Sequence, residues 1–234
     1  MAQEPEQVLV VSDLNVTLED QAVLANLSFT VRRGEVWTIL GPNGAGKTVL
    51  LRTLLGAVPY RGSITWKQGV RIGYVPQRLP YIKNIPLSVA EFFALKRNPK
   101  SGVGELLDAV GLGAEAAKRR IGDFSSGQFQ RILIAWALAN DPDVLLFDEP
   151  TAGVDIGGEE TVYAFLSRLQ RERNLTMLIV THDLAMVHRL SSMVLCLNRQ
   201  AVCTGPPLAA LTPENLQRLF GREVTFYEHK HKHG

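Results

Sequence analysis

The sequence predicts an α/β fold. A parallel sheet carries a phosphate-binding loop, an antiparallel β-layer lies beside that loop, and a helical subdomain is inserted into the chain. Three observations predict it. The apolar run Val36-Trp37-Thr38-Ile39-Leu40 leads into Gly41-Pro42-Asn43-Gly44-Ala45-Gly46-Lys47-Thr48 and then into Val49-Leu50-Leu51-Arg52-Thr53-Leu54-Leu55, which reads as strand, Gly-rich loop and helix. The unbroken apolar runs Val144-Leu145-Leu146-Phe147 and Thr176-Met177-Leu178-Ile179-Val180 have the look of parallel strands covered on both faces. Between about 78 and 140, apolar residues recur at helical spacing instead.

In chain order, Val8-Leu9-Val10-Val11, Leu14-Asn15-Val16-Thr17-Leu18 and the alternating Leu27-Ser28-Phe29-Thr30-Val31 read as two or three short strands, the antiparallel layer. Arg32-Arg33-Gly34 turns into the strand before the Gly-rich loop, and Gly56 and Pro59 stop the helix after it. Strands follow at 62–66 and 70–75, the second ended by Pro76-Gln77. In the subdomain, Val89, Phe92, Phe93 and Leu95, then Val103, Leu106, Leu107 and Val110, mark helices, and a well-buried helix runs from Phe129 to Leu138. A helix over 157–172 separates the two apolar strands. A hairpin pairs 194–197 with 201–204 about Asn198-Arg199-Gln200, and Thr212 with Pro213 opens a last helix ending at Phe220. Cys196 and Cys203 fall outside any C-x-x-C pattern and read as reduced core thiols, although the hairpin can bring them face to face.

Composition bounds the partners. The 234 residues suit one large domain, or a domain with an inserted subdomain, so residues 1–234 are taken as a single unit. A net charge of +2 gives no strong field for nucleic acid. No apolar run approaches the ~20 residues of a membrane-spanning helix. The acidic, polar start Met1-Ala2-Gln3-Glu4-Pro5-Glu6 is unlike a signal peptide, which points to the cytosol.

The loop Gly41–Thr48 fits G-x-x-x-x-G-K-[ST]. Its glycines let backbone N–H groups converge on a phosphate, and the following helix adds its positive dipole end. Lys47 reaches the β- and γ-phosphates, and the Thr48 hydroxyl suits Mg²⁺. The alternative, a Gly-rich turn that binds nothing, leaves Lys47 and Thr48 unexplained.

Three strand ends supply the rest. Asp148-Glu149-Pro150 closes the strand at 144–147, so Asp148 is placed to hold Mg²⁺ and Glu149 to act as general base; by itself the pair is also consistent with a solvated acidic turn. Thr181-His182-Asp183 closes the next strand, which puts His182 on the same edge, within reach of the γ-phosphate or the attacking water. Gln77 reaches that edge too, towards Mg²⁺ or water. Phe124-Ser125-Ser126-Gly127-Gln128 begins the buried helix. It reads as a capping box of Ser125 and Gln128, or as an anion site of freed N–H groups.

Together these motifs resemble the ABC ATPases. Gly41–Thr48 matches Walker A, Gln77 the Q-loop, Phe124–Gln128 the L-S-G-G-Q signature, Val144–Glu149 Walker B with its catalytic Glu, Ala152-Gly153-Val154-Asp155 the D-loop, and His182 the switch histidine. The match spans nearly the whole chain. It implies a P-loop, RecA-like ABC ATPase core, and two copies head to tail around two ATP with Mg²⁺. Each ATP would sit between one copy's Walker A and the other's Ser125, Ser126, Gly127 and Gln128, with Asp155 at the shared face. Two departures stand out: Ser126 replaces a usual Gly, and Leu18 stands where an adenine-stacking aromatic is usual, forgoing on the order of 1 kcal/mol of stacking.

Within that family the chain is most similar to ATPases of zinc and manganese importers, through Arg71–Gln77, Gly153-Val154-Asp155, Val194–Asn198, Cys203-Thr204-Gly205 and Leu219-Phe220-Gly221. The similarity implies integral membrane permease subunits, reached through the cleft beside Gln77 and residues 78–98, where Arg78-Leu79-Pro80-Tyr81-Ile82 is a candidate contact or an ordinary linker to the helical subdomain. It also implies a metal-capture protein and a place on the inner face of the membrane. Zinc is the cargo read first. A manganese or iron importer and a non-transport ATPase of iron–sulphur assembly are the alternatives; a P-loop GTPase is disfavoured because no N-K-x-D motif exists. In the tail 222–234, His229, His231 and His233 alternate, which fits weak transition-metal binding, a solvated charged end or a cloning remnant.

Overall fold

The computed structural model describes residues 5–77, 86–97, 99–149 and 156–221. The D-loop residues 152–155 with Asp155, the candidate contact Arg78–Ile82, and His229, His231 and His233 lie outside the described residues.

Strands β1 (Gln7–Leu18) and β2 (Gln21–Arg32) form a long hairpin, and β4 (Arg61–Trp66) pairs with the other edge of β1. This three-stranded antiparallel layer has the order β2-β1-β4. The two or three short strands expected over 8–31 are two long ones. The polar steps at Ser12-Asp13 and Ala25-Asn26 are irregularities in the ladder, with Asp13 and Asn26 at φ 49° and 51°.

The main sheet has six strands in the order β5-β6-β7-β3-β8-β9. These are β3 (Val36–Leu40), β5 (Ile72–Val75), β6 (Val144–Asp148), β7 (Thr176–Thr181), β8 (Met193–Asn198) and β9 (Gln200–Gly205). All pair in parallel except β9, which turns back on β8. Val144, Leu145, Leu146 and Phe147 are each 0% exposed, which explains why this strand lacks alternation.

Helix α1 (Lys47–Leu54) follows β3 and packs with the β-layer on one face of the sheet. Phe29 and Trp37 bridge the two sheets, their rings 5.5 Å apart. Helices α2 (Val89–Ala94), α3 (Val103–Ala109), α4 (Ser126–Leu138) and α5 (Ile156–Arg173) build the core on the other face. Helices α6 (Leu184–Leu190), α7 (Pro207–Ala210) and α8 (Pro213–Phe220) close the end beside β8 and β9.

One expectation is corrected. Cys196 and Cys203 are joined in a disulfide rather than standing as separate reduced thiols. They face each other directly across the β8–β9 ladder with Cα atoms 4.9 Å apart, the placement that the hairpin allows.

Candidate functional site

The parallel pairing brings the C-terminal ends of β3, β5, β6 and β7 to one edge of the sheet. Leu40 lies opposite Thr181, and Asp148 opposite Val180, so the chain leaves these strands at similar heights into Gly41, Glu149 and His182. A ligand site at this edge is the general rule for open parallel sheets.

The loop 41–46 is shaped by close packing. A Cβ on Gly41 would lie 2.0 Å from the Leu197 carbonyl oxygen, so only glycine fits there. Gly46 has φ 93° and accepts Leu50 N–H on its carbonyl, starting α1. The β8–β9 turn braces the loop from outside: Arg199 N–H donates to Ala45 O at 3.0 Å, and Arg199 O accepts from Ala25 N–H at 2.8 Å.

Lys47 is buried, and its ammonium donates to Gly41 O at 2.8 Å and Pro42 O at 2.9 Å. Burial pushes its pKa down, while the carboxylates of Glu149 and Asp148 push it back up. Thr48 Oγ1 donates to Asp148 Oδ1 at 3.0 Å. Burial pushes the Asp148 carboxyl up, against the Thr48 hydrogen bond and the nearby Arg52 and Lys47 charges, which favour ionisation. Asp148 also helps to raise the Tyr74 phenol, itself pushed up first by burial.

Glu149 leaves the ladder at φ 48°, with its N–H still donating to Val180 O at 3.0 Å. Such a left-handed turn costs a non-glycine residue about 1 kcal/mol or more. Gln77 Nε2 donates to Glu149 Oε2 at 2.6 Å, and His182 Nδ1 stands 3.6 Å from Glu149 Oε1. Glu149, Gln77 and residues 43–49 line one cavity of about 290 Å³. It combines the Lys47 cation and the Gly-rich loop with one lining carboxylate, Glu149, a composition suited to a polyphosphate with a hard cation.

A sequence model of the ABC transporter family matches residues 24–152, more than half of the chain. The chain belongs to the ABC transporter family. It is 38% identical over 230 residues to the Zinc import ATP-binding protein ZnuC of Chromohalobacter salexigens, covering 96% of this chain and 95% of that one. It is 41% identical over 201 residues to the protein of the same description from Cereibacter sphaeroides, covering 85% of this chain and 82% of that one. An ABC transporter solved in an inward-facing conformation and described as of the metal-chelate type superposes with a TM-score of 0.81 at 30% identity, over 92% of this chain and 89% of that one. The chain is thus an ATP-binding ATPase with the α/β P-loop fold that the motifs imply.

Not every ABC motif residue meets at this cavity. Ser125–Gln128 do not line it. Ser125 Oγ accepts Gln128 N–H at 3.2 Å, and Gln128 Oε1 accepts Ser125 N–H at 3.0 Å, so the capping box is closed at the start of α4. Leu18 packs half-buried against the apolar cluster beneath the β-layer, and Val23, across the β1–β2 turn, lines the cavity instead. Val23 was missed in the sequence because both residues sit in alternating strand ends, and alternation does not say which faces a ligand.

Proposed function

We propose that this chain is the ATP-hydrolysing subunit of a zinc importer, working as two copies head to tail against integral membrane permease subunits on the inner face of the membrane. The observation that carries the hydrolytic part is the convergence of Gln77 and His182 on the Glu149 carboxylate, at the rim of the loop that holds Lys47. The zinc part is supported by the relatives above, which are named for zinc import.

In this reading the loop N–H groups and the start of α1 take the phosphates of ATP. Lys47 gives up its loop carbonyls for the β- and γ-phosphate oxygens. Thr48, Asp148 and Gln77 offer only oxygen donors, a set that fits Mg²⁺, and the buried, reluctantly ionised Asp148 is better matched by a cation than left alone. Mg²⁺ bound there would neutralise phosphate charge. Gln77 and His182 hold Glu149 so that its carboxylate takes a proton from water. The water oxygen bonds to the γ-phosphorus as the bond to the β–γ bridging oxygen breaks, giving ADP and phosphate. His182 and Lys47 offset charge that develops on the γ-phosphate.

The second copy contributes Ser125, Ser126, Gly127 and Gln128, with Asp155 at the shared face. The closed capping box and the position of these residues away from the cavity support a role across a dimer rather than within one chain. A metal-capture protein would deliver the cargo to the permease.

Affinity purification of the tagged full-length chain from membranes tests the assignment. A polytopic permease should co-purify in stoichiometric amount; a soluble iron–sulphur scaffold in its place would overturn the transport reading.

A further inference from the structure

His182 sits on a short bridge. On one side, Thr181 is the last residue of β7 and lies opposite Leu40 in the sheet. On the other side, Asp183 immediately precedes α6. The His182 side chain is 68% exposed, and the backbone that flanks it sets where its Cα stands.

Two bonds that Asp183 accepts from α6 are long, and one that it accepts from α5 is short. Its Oδ1 takes Met186 N–H at 3.4 Å, and its backbone oxygen takes Val187 N–H at 3.4 Å, both near the outer limit for a hydrogen bond. Its Oδ2 accepts the Tyr163 hydroxyl at 2.8 Å, in the middle of the normal range and assisted by the carboxylate charge. Tyr163 comes from α5 and is 7% exposed within the apolar core, so its ring is fixed. Asp183 N–H turns back to Thr181 Oγ1 at 3.0 Å, closing the bridge around His182.

We propose that Tyr163 is a positioning residue for His182: it anchors Asp183 to α5 and thereby sets where the imidazole stands relative to Glu149. This rests on the role given to His182 above. The plain alternative is a buried tyrosine that needs some acceptor and influences nothing beyond core stability.

A double-mutant cycle on the full-length chain separates the two. Tyr163→Phe should lower kcat for ATP about fivefold while leaving KM within about twofold. In a His182→Gln background, Tyr163→Phe should cost no further activity, because the group it positions is gone. Asp183→Ala removes the acceptor of the same bond and should reproduce the loss, and the pair Tyr163→Phe with Asp183→Ala should cost no more than Asp183→Ala alone. It carries the test if Tyr163→Phe folds poorly. Equal losses from Tyr163→Phe in both backgrounds, or a change in KM and Tm with kcat kept, would overturn the proposal. If His182→Gln turns over ATP like the wild type, the role of His182 itself is wrong, an outcome distinct from a failure at Tyr163.

Discussion

Replacing Glu149 by Gln removes a base and little else. The two side chains have the same shape. The amide oxygen of Gln can still accept from Gln77 Nε2, which now bonds Glu149 Oε2 at 2.6 Å, so the left-handed turn at φ 48° and the strand end keep their support. What is lost is the ability to take a proton. A positioned general base contributes about 10²–10⁴-fold to the rate, which is about 3–5 kcal/mol of barrier. Nucleotide affinity should not fall with it, because the substitution removes a negative charge from the mouth of a site that must receive phosphates. Two measurements on one sample are needed: phosphate release at saturating Mg-ATP, and binding of a fluorescent ATP analogue. Turnover should drop at least about 100-fold with binding unchanged or tighter, and an ATP-bound dimer should accumulate on gel filtration. A loss of less than about tenfold would refute the role of Glu149 as base, and a parallel loss of binding would refute the geometric reasoning.

The other expectations concern charge burial, packing and the signature. Burial keeps Asp148 protonated to higher pH in the folded chain than the ordinary 3.8, so the folded state binds more protons across that window and stability falls as pH rises through it. Asp148→Asn keeps an acceptor for Thr48 and should abolish Mg-dependent turnover yet raise Tm at neutral pH, by about 2–4 °C per kcal/mol relieved, with the gain vanishing below the ordinary aspartate range; a gain that does not vary with pH would contradict this. Gly41→Ala puts a methyl 2.0 Å from the Leu197 carbonyl oxygen and should lower Tm by about 3–10 °C and impair ATP binding, as thermal scans with and without ATP would register. Ser126→Gly leaves the Ser125–Gln128 cap in place and should leave ATPase activity unchanged or raised; a large loss would make Ser126 itself a ligand.

The parts legible in the sequence were those set by local physics. Strands buried on both faces announced themselves as unbroken apolar runs at 144–147 and 176–180, and Thr212-Pro213 marked the start of α8 at its true position. The loop 41–48 declared its chemistry because glycine, lysine and threonine at that spacing between strand and helix have few other uses. Strand order was not legible: β3 lies between β7 and β8, neighbours far along the chain, and crossovers leave no local mark. Ser12-Asp13 misled because a bulge and a strand end use the same residue types. The contacts that hold the site together, such as Thr48 with Asp148 and Gln77 with Glu149, span 100 and 72 residues and depend on that strand order. The hairpin already allowed Cys196 and Cys203 to meet, and what differed was the bond between them. The Tyr163–Asp183 bond escaped because it depends on helix placement rather than on either residue alone.

The central claim is that ATP hydrolysis at this site moves zinc. The most direct test reconstitutes the full-length chain with its co-purified permease and capture protein in proteoliposomes. The capture protein is loaded with zinc or with manganese, and metal translocation and phosphate release are followed together. Zinc should cross the membrane only with ATP on the side of this chain, zinc-loaded capture protein should stimulate hydrolysis, and Glu149→Gln should abolish both. Stimulation and transport with manganese but not zinc, or zinc movement that persists with Glu149→Gln, would contradict the account.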